Sequence, residues 1–189
     1  MHRLIRCCFY ISLISAALPV WGGVDIAGIH IADSYPLGGK SLRLNGAGVR
    51  SKIFIKVYIG TLYLAETTSS VEQVLQSPGP KSMQMSILYK EIEAEKIAQG
   101  WSDGFAANLS ADQLQQMAPR LKQFNALFPA LKKGDHVYMD FVPGEGTVVK
   151  INNDMRGHVE GADFFRALLQ VWIGNHPADK HLKHGLLGG

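Results

Sequence analysis

The stretch 137–151 constrains the fold more than any other part of the chain. Val137, Met139 and Phe141 alternate with Tyr138, Asp140 and Val142. Pro143-Gly144-Glu145-Gly146 then turns the chain, and Thr147, Val149 and Ile151 resume the alternation. Period-two patterning on both sides of a Pro/Gly turn is the mark of an antiparallel hairpin with one buried face. Such a hairpin needs more strands beside it and a second layer over its apolar side. Residues 82–89 carry the same period through Met83, Met85, Ile87 and Tyr89. Residues 53–64 are rich in β-branched and aromatic side chains and read as one long strand, or two strands bent near Gly60. Upstream, 24–31 reads as a short edge strand, Pro36-Leu37-Gly38-Gly39-Lys40 as a turn and 41–44 as a strand. Asn45-Gly46 has the composition of a tight hairpin turn. A brief third segment follows Asn152-Asn153-Asp154.

Helices come in two blocks. Ser69-Ser70-Val71-Glu72 matches a capping box and predicts a short helix over 70–76, stopped by Pro78-Gly79-Pro80. From Glu91, the residues Ile92, Lys96, Ile97, Trp101 and Phe105 recur at three- and four-residue steps, predicting a helix that reaches Leu109. Ser110-Ala111-Asp112-Gln113 opens another, with Leu114, Met117, Leu121, Phe124 and Phe128 on one face. Pro119 inside that pattern predicts a kink or two consecutive helices. Phe164, Ala167, Leu168, Val171 and Trp172 form a last long stripe, ended by Gly174 and Pro177, before a short helix over 179–187. Strands, helices, a hairpin and helices again do not alternate as βαβ units, so the class is α+β.

The 189 residues suit one domain, and 47% hydrophobic against 19% charged residues excludes a disordered chain. A net charge of +3 with scattered Lys and Arg argues against a nucleic-acid partner. The first residues form an address. His2, Arg3 and Arg6 precede an apolar run from Cys7 to Val20, and small residues Gly22 and Gly23 follow. This reads as a secretory signal peptide over 1–23, leaving one exported domain over 24–189 in a periplasmic or secreted location. The run falls short of the roughly 20 residues of a membrane span, and no later stretch reaches that length. Cleavage removes both cysteines, Cys7 and Cys8, and leaves a thiol-free chain with a net charge of about +1.

No nucleophile elbow, zincin helix, Walker loop or dinucleotide fingerprint is present. His176, His181 and His184 do not have the spacing of a ligand set, so they read as solvent-exposed and no metal is expected. Asn108-Leu109-Ser110 is a glycosylation sequon that overlaps a helix cap. Arg50 stands out. It opens a strongly apolar strand after a glycine-containing turn, and an unpaired guanidinium must face solvent or a partner there. Tyr58, Tyr63 and Tyr89 lie on apolar strands, where the rings pack and the hydroxyls find partners.

Leu44-Asn45-Gly46-Ala47-Gly48-Val49-Arg50, the Lys56 to Leu64 segment, and Ala167-Leu168-Leu169-Gln170-Val171-Trp172-Ile173-Gly174-Asn175-His176 with Leu182-Lys183 together resemble the chalcone isomerase family, most closely its bacterial exported branch. The resemblance runs in order from about Leu37 to Leu187. It implies an open-faced β-sandwich, in which a large antiparallel sheet is covered by helices with a ligand cleft between them. Catalytic members cyclise chalcones to flavanones, and related members bind fatty acids or lack activity. The resemblance places the family's catalytic arginine on Arg50 and its water-organising threonine on Tyr58. The helical tyrosine and asparagine fall near Glu93 and Gly100, and the later threonine or serine near Val171. Val171 and Gly100 carry no donor for a developing enolate, so true chalcone isomerase activity is not expected.

The sequence therefore supports an exported, non-catalytic binder of an amphipathic anionic small molecule. A fatty acid is the plainest ligand, and haem is another whose propionates would suit Arg50. Arg50, Tyr58, Tyr89, Glu93 and Val171 are the expected ligand-binding residues. Two alternatives stand beside this reading. One is an isomerase or intramolecular lyase that uses Arg50, Tyr58 and Glu93 as cation, acid and base. The other is a structural or interaction protein whose cleft is filled by its own side chains.

Overall fold

The computed structural model describes residues 22–189, so nearly all of the segment read as a signal peptide lies outside the described residues. In chain order the elements are β1 (Gly23–Ile26), β2 (Ile29–Ala32), β3 (Ser34–Leu37), β4 (Lys40–Lys52), β5 (Ile55–Leu64), α1 (Val71–Gln76) and β6 (Lys81–Ile87). These are followed by β7 (Glu91–Ile92), α2 (Ala94–Asn108), α3 (Ala111–Asn125), β8 (Leu131–Lys132), β9 (His136–Val142), β10 (Gly146–Ile151) and β11 (Asp154–Val159). Helices α4 (Ala162–Ile173) and α5 (Lys180–Leu186) close the chain.

Seven strands build one antiparallel sheet in the order β11-β10-β9-β6-β5-β4-β3. Spatial order follows chain order, with α2 and α3 inserted between β6 and its neighbour β9. Strand periodicity sorts the side chains. Tyr58 and Leu62 of β5, Met83, Met85 and Ile87 of β6, Val137, Met139 and Phe141 of β9, and Val149 and Ile151 of β10 turn to one face and join the main core. The helices supply the second layer, with Trp101 and Phe105 of α2, Phe124 of α3, and Phe164, Leu168 and Trp172 of α4. The class is α+β with a large sheet covered by helices, as the sequence implied.

The other face is more polar. Asp140 is almost fully buried there and accepts from Ser82 (2.6 Å) and Tyr35 (2.9 Å), with Lys150 Nζ at 3.0 Å. The β1–β2 hairpin packs on this face through Ile31, against Leu42, Ile59 and Tyr63, and the Tyr63 hydroxyl donates to the Ala32 carbonyl at 2.8 Å.

Several local expectations are corrected. Residues 24–31 form two paired strands rather than one, because Ala27-Gly28 adopts positive φ at both positions and reverses the chain. Asn45-Gly46 does not turn the chain. It lies inside β4 at a register shift against β5, where the Asn45 side chain donates to the Leu186 carbonyl and accepts from the Thr68 N–H. A Cβ on Gly46 would collide with the Gly185 carbonyl, so this glycine admits α5 to the sheet. The reversal falls instead at Ile53-Phe54, and β5 passes Gly60 without a break. The first helix is capped by Ser70 rather than Ser69. Helix α2 starts at Ala94, after the short strand β7. Helix α3 runs unbroken through Pro119. Pro119 and Gln115 lie on its exposed side, so the carbonyl that loses its partner reaches water while Met117, Leu121 and Phe124 hold the helix to the core. His176, His181 and His184 are exposed, as expected.

Lys81 points inward, and its ammonium donates to the Val74 and Ser77 carbonyls at the end of α1. Burial, helped by the Arg166 charge, pulls its pKa down to about 8, whereas burial pushes Tyr35 and Tyr63 up to about 12. Between pH 8 and 10.5 the unfolded chain holds a lysine proton that the folded chain does not, so stability rises with pH. Above pH 10 the unfolded tyrosines ionise first and stability falls. Denaturant midpoints measured across alkaline pH should rise and then fall, and Lys81→Met should remove the rising limb while leaving the falling one.

Candidate functional site

The site lies between the sheet and α2. Arg50 comes from β4, opposite Tyr58 on β5, with the register shift after Arg50 turning the end of β4. Met85 of β6 continues the floor. The roof is α2, where Lys96 and Gly100, four residues apart, share one face with Ile97 and Trp101 beside them. Val171 of α4 closes the inner end. Helix α4 can come this close because Gly104 has no side chain; a Cβ there would stand 2.7 Å from Val171 Cγ1. The enclosed space is about 100 Å³ and opens to solvent.

Tyr58 organises the floor. Its hydroxyl is buried and accepts from Trp172 Nε1 at 2.8 Å. The Arg50 guanidinium stands over its ring, with Cζ 5.7 Å from the centroid. Burial pushes the phenol above its ordinary pKa, against the opposing pull of Arg50 and Trp172, so the group stays protonated at neutral pH. Its own hydrogen has no acceptor among the described residues. Trp101 packs edge-on against Trp172 with centroids 5.4 Å apart, and its indole N–H is buried with no partner among the described residues. Arg50 makes no ion pair among the described residues.

The side-chain chemistry of the cavity is one-sided. Arg50 and Lys96 line it as cations and Tyr58 and Trp101 as aromatic side chains, and among the described residues no acidic side chain lines the space. Asp179 stands close enough to act on Tyr58, yet its carboxylate is turned to the backbone N–H groups of Ser51, His181 and Leu182. Among the described residues no cluster of metal-binding side chains occurs.

Arg50, Tyr58 and Val171 thus meet at one cavity, together with Gly100. Tyr89 and Glu93 do not line it. Tyr89 lies beyond the end of β6 and is 43% exposed. Glu93 is the residue before α2, exposed, and makes no capping bond with its side chain. The cation, acid and base set of Arg50, Tyr58 and Glu93 is therefore not assembled. Sequence reasoning missed Lys96 and Trp101 as wall residues. Both belong to the stripe that predicted α2, and the i, i+4 relation of Lys96 to Gly100 was the available signal.

Replacing Tyr58 by Phe leaves the Trp172 N–H buried without an acceptor. The expected loss is about 1–3 kcal/mol in urea unfolding. The Tyr58→Phe/Trp172→Phe pair should lose less than the sum of its single changes, because the two groups are one interaction.

The profile of the chalcone isomerase-like family matches residues 23–188. No curated protein matches the sequence. Among solved structures, a fatty-acid binding protein of Arabidopsis thaliana superposes with a TM-score of 0.69 at 18% identity, covering 88% of this chain and 96% of that one. That likeness is one of fold. The chain belongs to the chalcone isomerase-like family.

Proposed function

We propose that this protein is an exported, non-catalytic binder of an amphipathic carboxylate, with a fatty acid as the plainest ligand. The observation that carries the reading is a cavity lined by cations and no acid. Arg50, Lys96 and the Tyr58 side chain line an otherwise apolar space, and among the described residues no acid joins them. Such a surface suits an anionic oxygen head on an apolar tail. Arg50 takes the carboxylate, and Ile97, Trp101, Leu131 and Val171 meet the tail. The solved neighbour is itself a fatty-acid binding protein, which supports the same ligand class.

Size refines the proposal. About 100 Å³ lies below the roughly 300–1,000 Å³ of a small-molecule site. The cavity in this shape takes the carboxylate and the first carbons, and a longer chain must lift α2 from the sheet or lie along the mouth. Haem fits this space less well, since about 100 Å³ is small for a macrocycle and the Tyr58 hydroxyl, a candidate iron ligand, already accepts from Trp172. An isomerase needs a base beside Tyr58, and Glu93 lies outside the cavity. The export half of the proposal rests on the basic and apolar N-terminal residues.

Isothermal titration with octanoate, and with octanol as its uncharged counterpart, tests the ligand class. Octanoate should bind one per chain and more tightly than octanol. Arg50→Ala should weaken octanoate by about tenfold or more and leave octanol nearly unchanged, because only the charge-assisted bonds are lost. An Arg50→Ala protein that holds octanoate as tightly as the wild type would refute the role given to Arg50.

A further inference from the structure

The β4–β5 hairpin ends in a feature that neither the core nor the cavity explains. Lys52 pairs with Ile55, so Ile53 and Phe54 form a two-residue turn. Both have positive φ, 47° and 67°. This is the turn geometry that Asn-Gly satisfies best, and a β-branched residue in it is strained. The chain nonetheless places Ile53 and Phe54 there, 81% and 100% exposed, with Ile55 beside them at 51%. For folding alone, three neighbouring apolar groups in water on a strained turn are a net cost.

The surroundings say what would cover them. Lys52 and Lys56 flank the tip, and both are exposed. Tyr89, the other large apolar group exposed nearby, sits in the loop whose Leu88 and Tyr89 N–H groups both donate to the Val57 carbonyl at the base of the hairpin. Lys90 follows it, exposed, with Glu91 the first acid after it. Apolar groups at an apex, an amphipathic aromatic ring behind them and lysines around them match the layers of a bilayer interface with anionic headgroups. The tip is also continuous with the cavity, since Arg50 and Val57, three residues from Ile53 and from Phe54 respectively, line its wall.

We propose that Ile53, Phe54 and Ile55 insert into the surface of an anionic phospholipid bilayer, steered by Lys52, Lys56 and Lys90, and seat the cavity mouth against the lipid. The consequence for ligand exchange rests on the carboxylate-binding reading above: a lipid-derived acid would pass between bilayer and cavity without crossing water. The docking itself does not depend on that reading.

The test compares the full chain with its Ile53→Asn/Phe54→Gly variant, so any contribution of residues 1–21 is the same in both. Asn-Gly suits the turn, so the variant should fold and gain thermal stability. In flotation with vesicles of phosphatidylglycerol and phosphatidylcholine, the wild type should bind. The variant should bind about tenfold more weakly, and vesicles of phosphatidylcholine alone should bind the wild type weakly. In a second measurement, the added emission of Phe54→Trp should shift to the blue with the anionic vesicles. Equal flotation of the two proteins, or an unshifted Phe54→Trp emission, would overturn the proposal. So would self-association that depends on Phe54 without vesicle binding, which would assign the tip to a second copy of the chain. Octanoate titration of the same variant separates the two readings. It should be unchanged, whereas Arg50→Ala should lose octanoate and keep vesicle binding.

Discussion

The hydrogen bond from Trp172 to Tyr58 is the constraint on which the site depends. Both rings sit in the core, where an unpaired polar tip is costly, so α4 and β5 can close on each other only with indole and phenol in register. That contact fixes the next two. Trp101 of α2 leans edge-on against Trp172, and Arg50 of β4 stands over the Tyr58 ring. Four elements are thereby arranged around one space, and the charged groups that line it are the cations Arg50 and Lys96. The cavity is less a gap left by poor packing than a result of how these aromatic groups satisfy one another.

The same ring shows where function departs from stability. Among the described residues the Trp101 N–H goes unpaired and Arg50 has no carboxylate partner. The hairpin tip departs again, with Ile and Phe where Asn and Gly would fold more easily. Each is a local choice that the rest of the fold must offset, and such choices gather where a molecule meets something else. The two departures adjoin, and the proposed link between cavity and docking tip rests on that.

Much of this was legible in the sequence. The hairpin of β9 and β10 follows directly from its alternation, because one face is buried and a single-residue slip would expose Val137, Met139 and Phe141. The helices follow from their stripes. The turns were misplaced for a physical reason. Asn45-Gly46 has turn composition, but here the glycine is used for the close approach of α5, while Ile53-Phe54 turns the chain without any turn residue. Local composition reports a backbone's freedom and not what the tertiary structure does with it. For the site, Arg50, Tyr58 and Val171 were readable because strand register and family resemblance place them. Glu93 and Tyr89 were not, since each stands just outside an element, where a shift of one or two residues swings a side chain out of the cleft. Lys96 and Trp101 needed the phase of α2 relative to the sheet, which no single stretch of sequence carries.

The central claim is that Arg50, with no acidic partner among the described residues, takes the carboxylate of a ligand. Nitrogen–proton correlation NMR of the arginine Nε–H groups tests it at the group concerned. With saturating octanoate, the Arg50 Nε–H signal should move most among the arginines, while the Trp172 indole signal, already bonded to Tyr58, should change little. Octanoate that binds without moving the Arg50 signal would contradict the account.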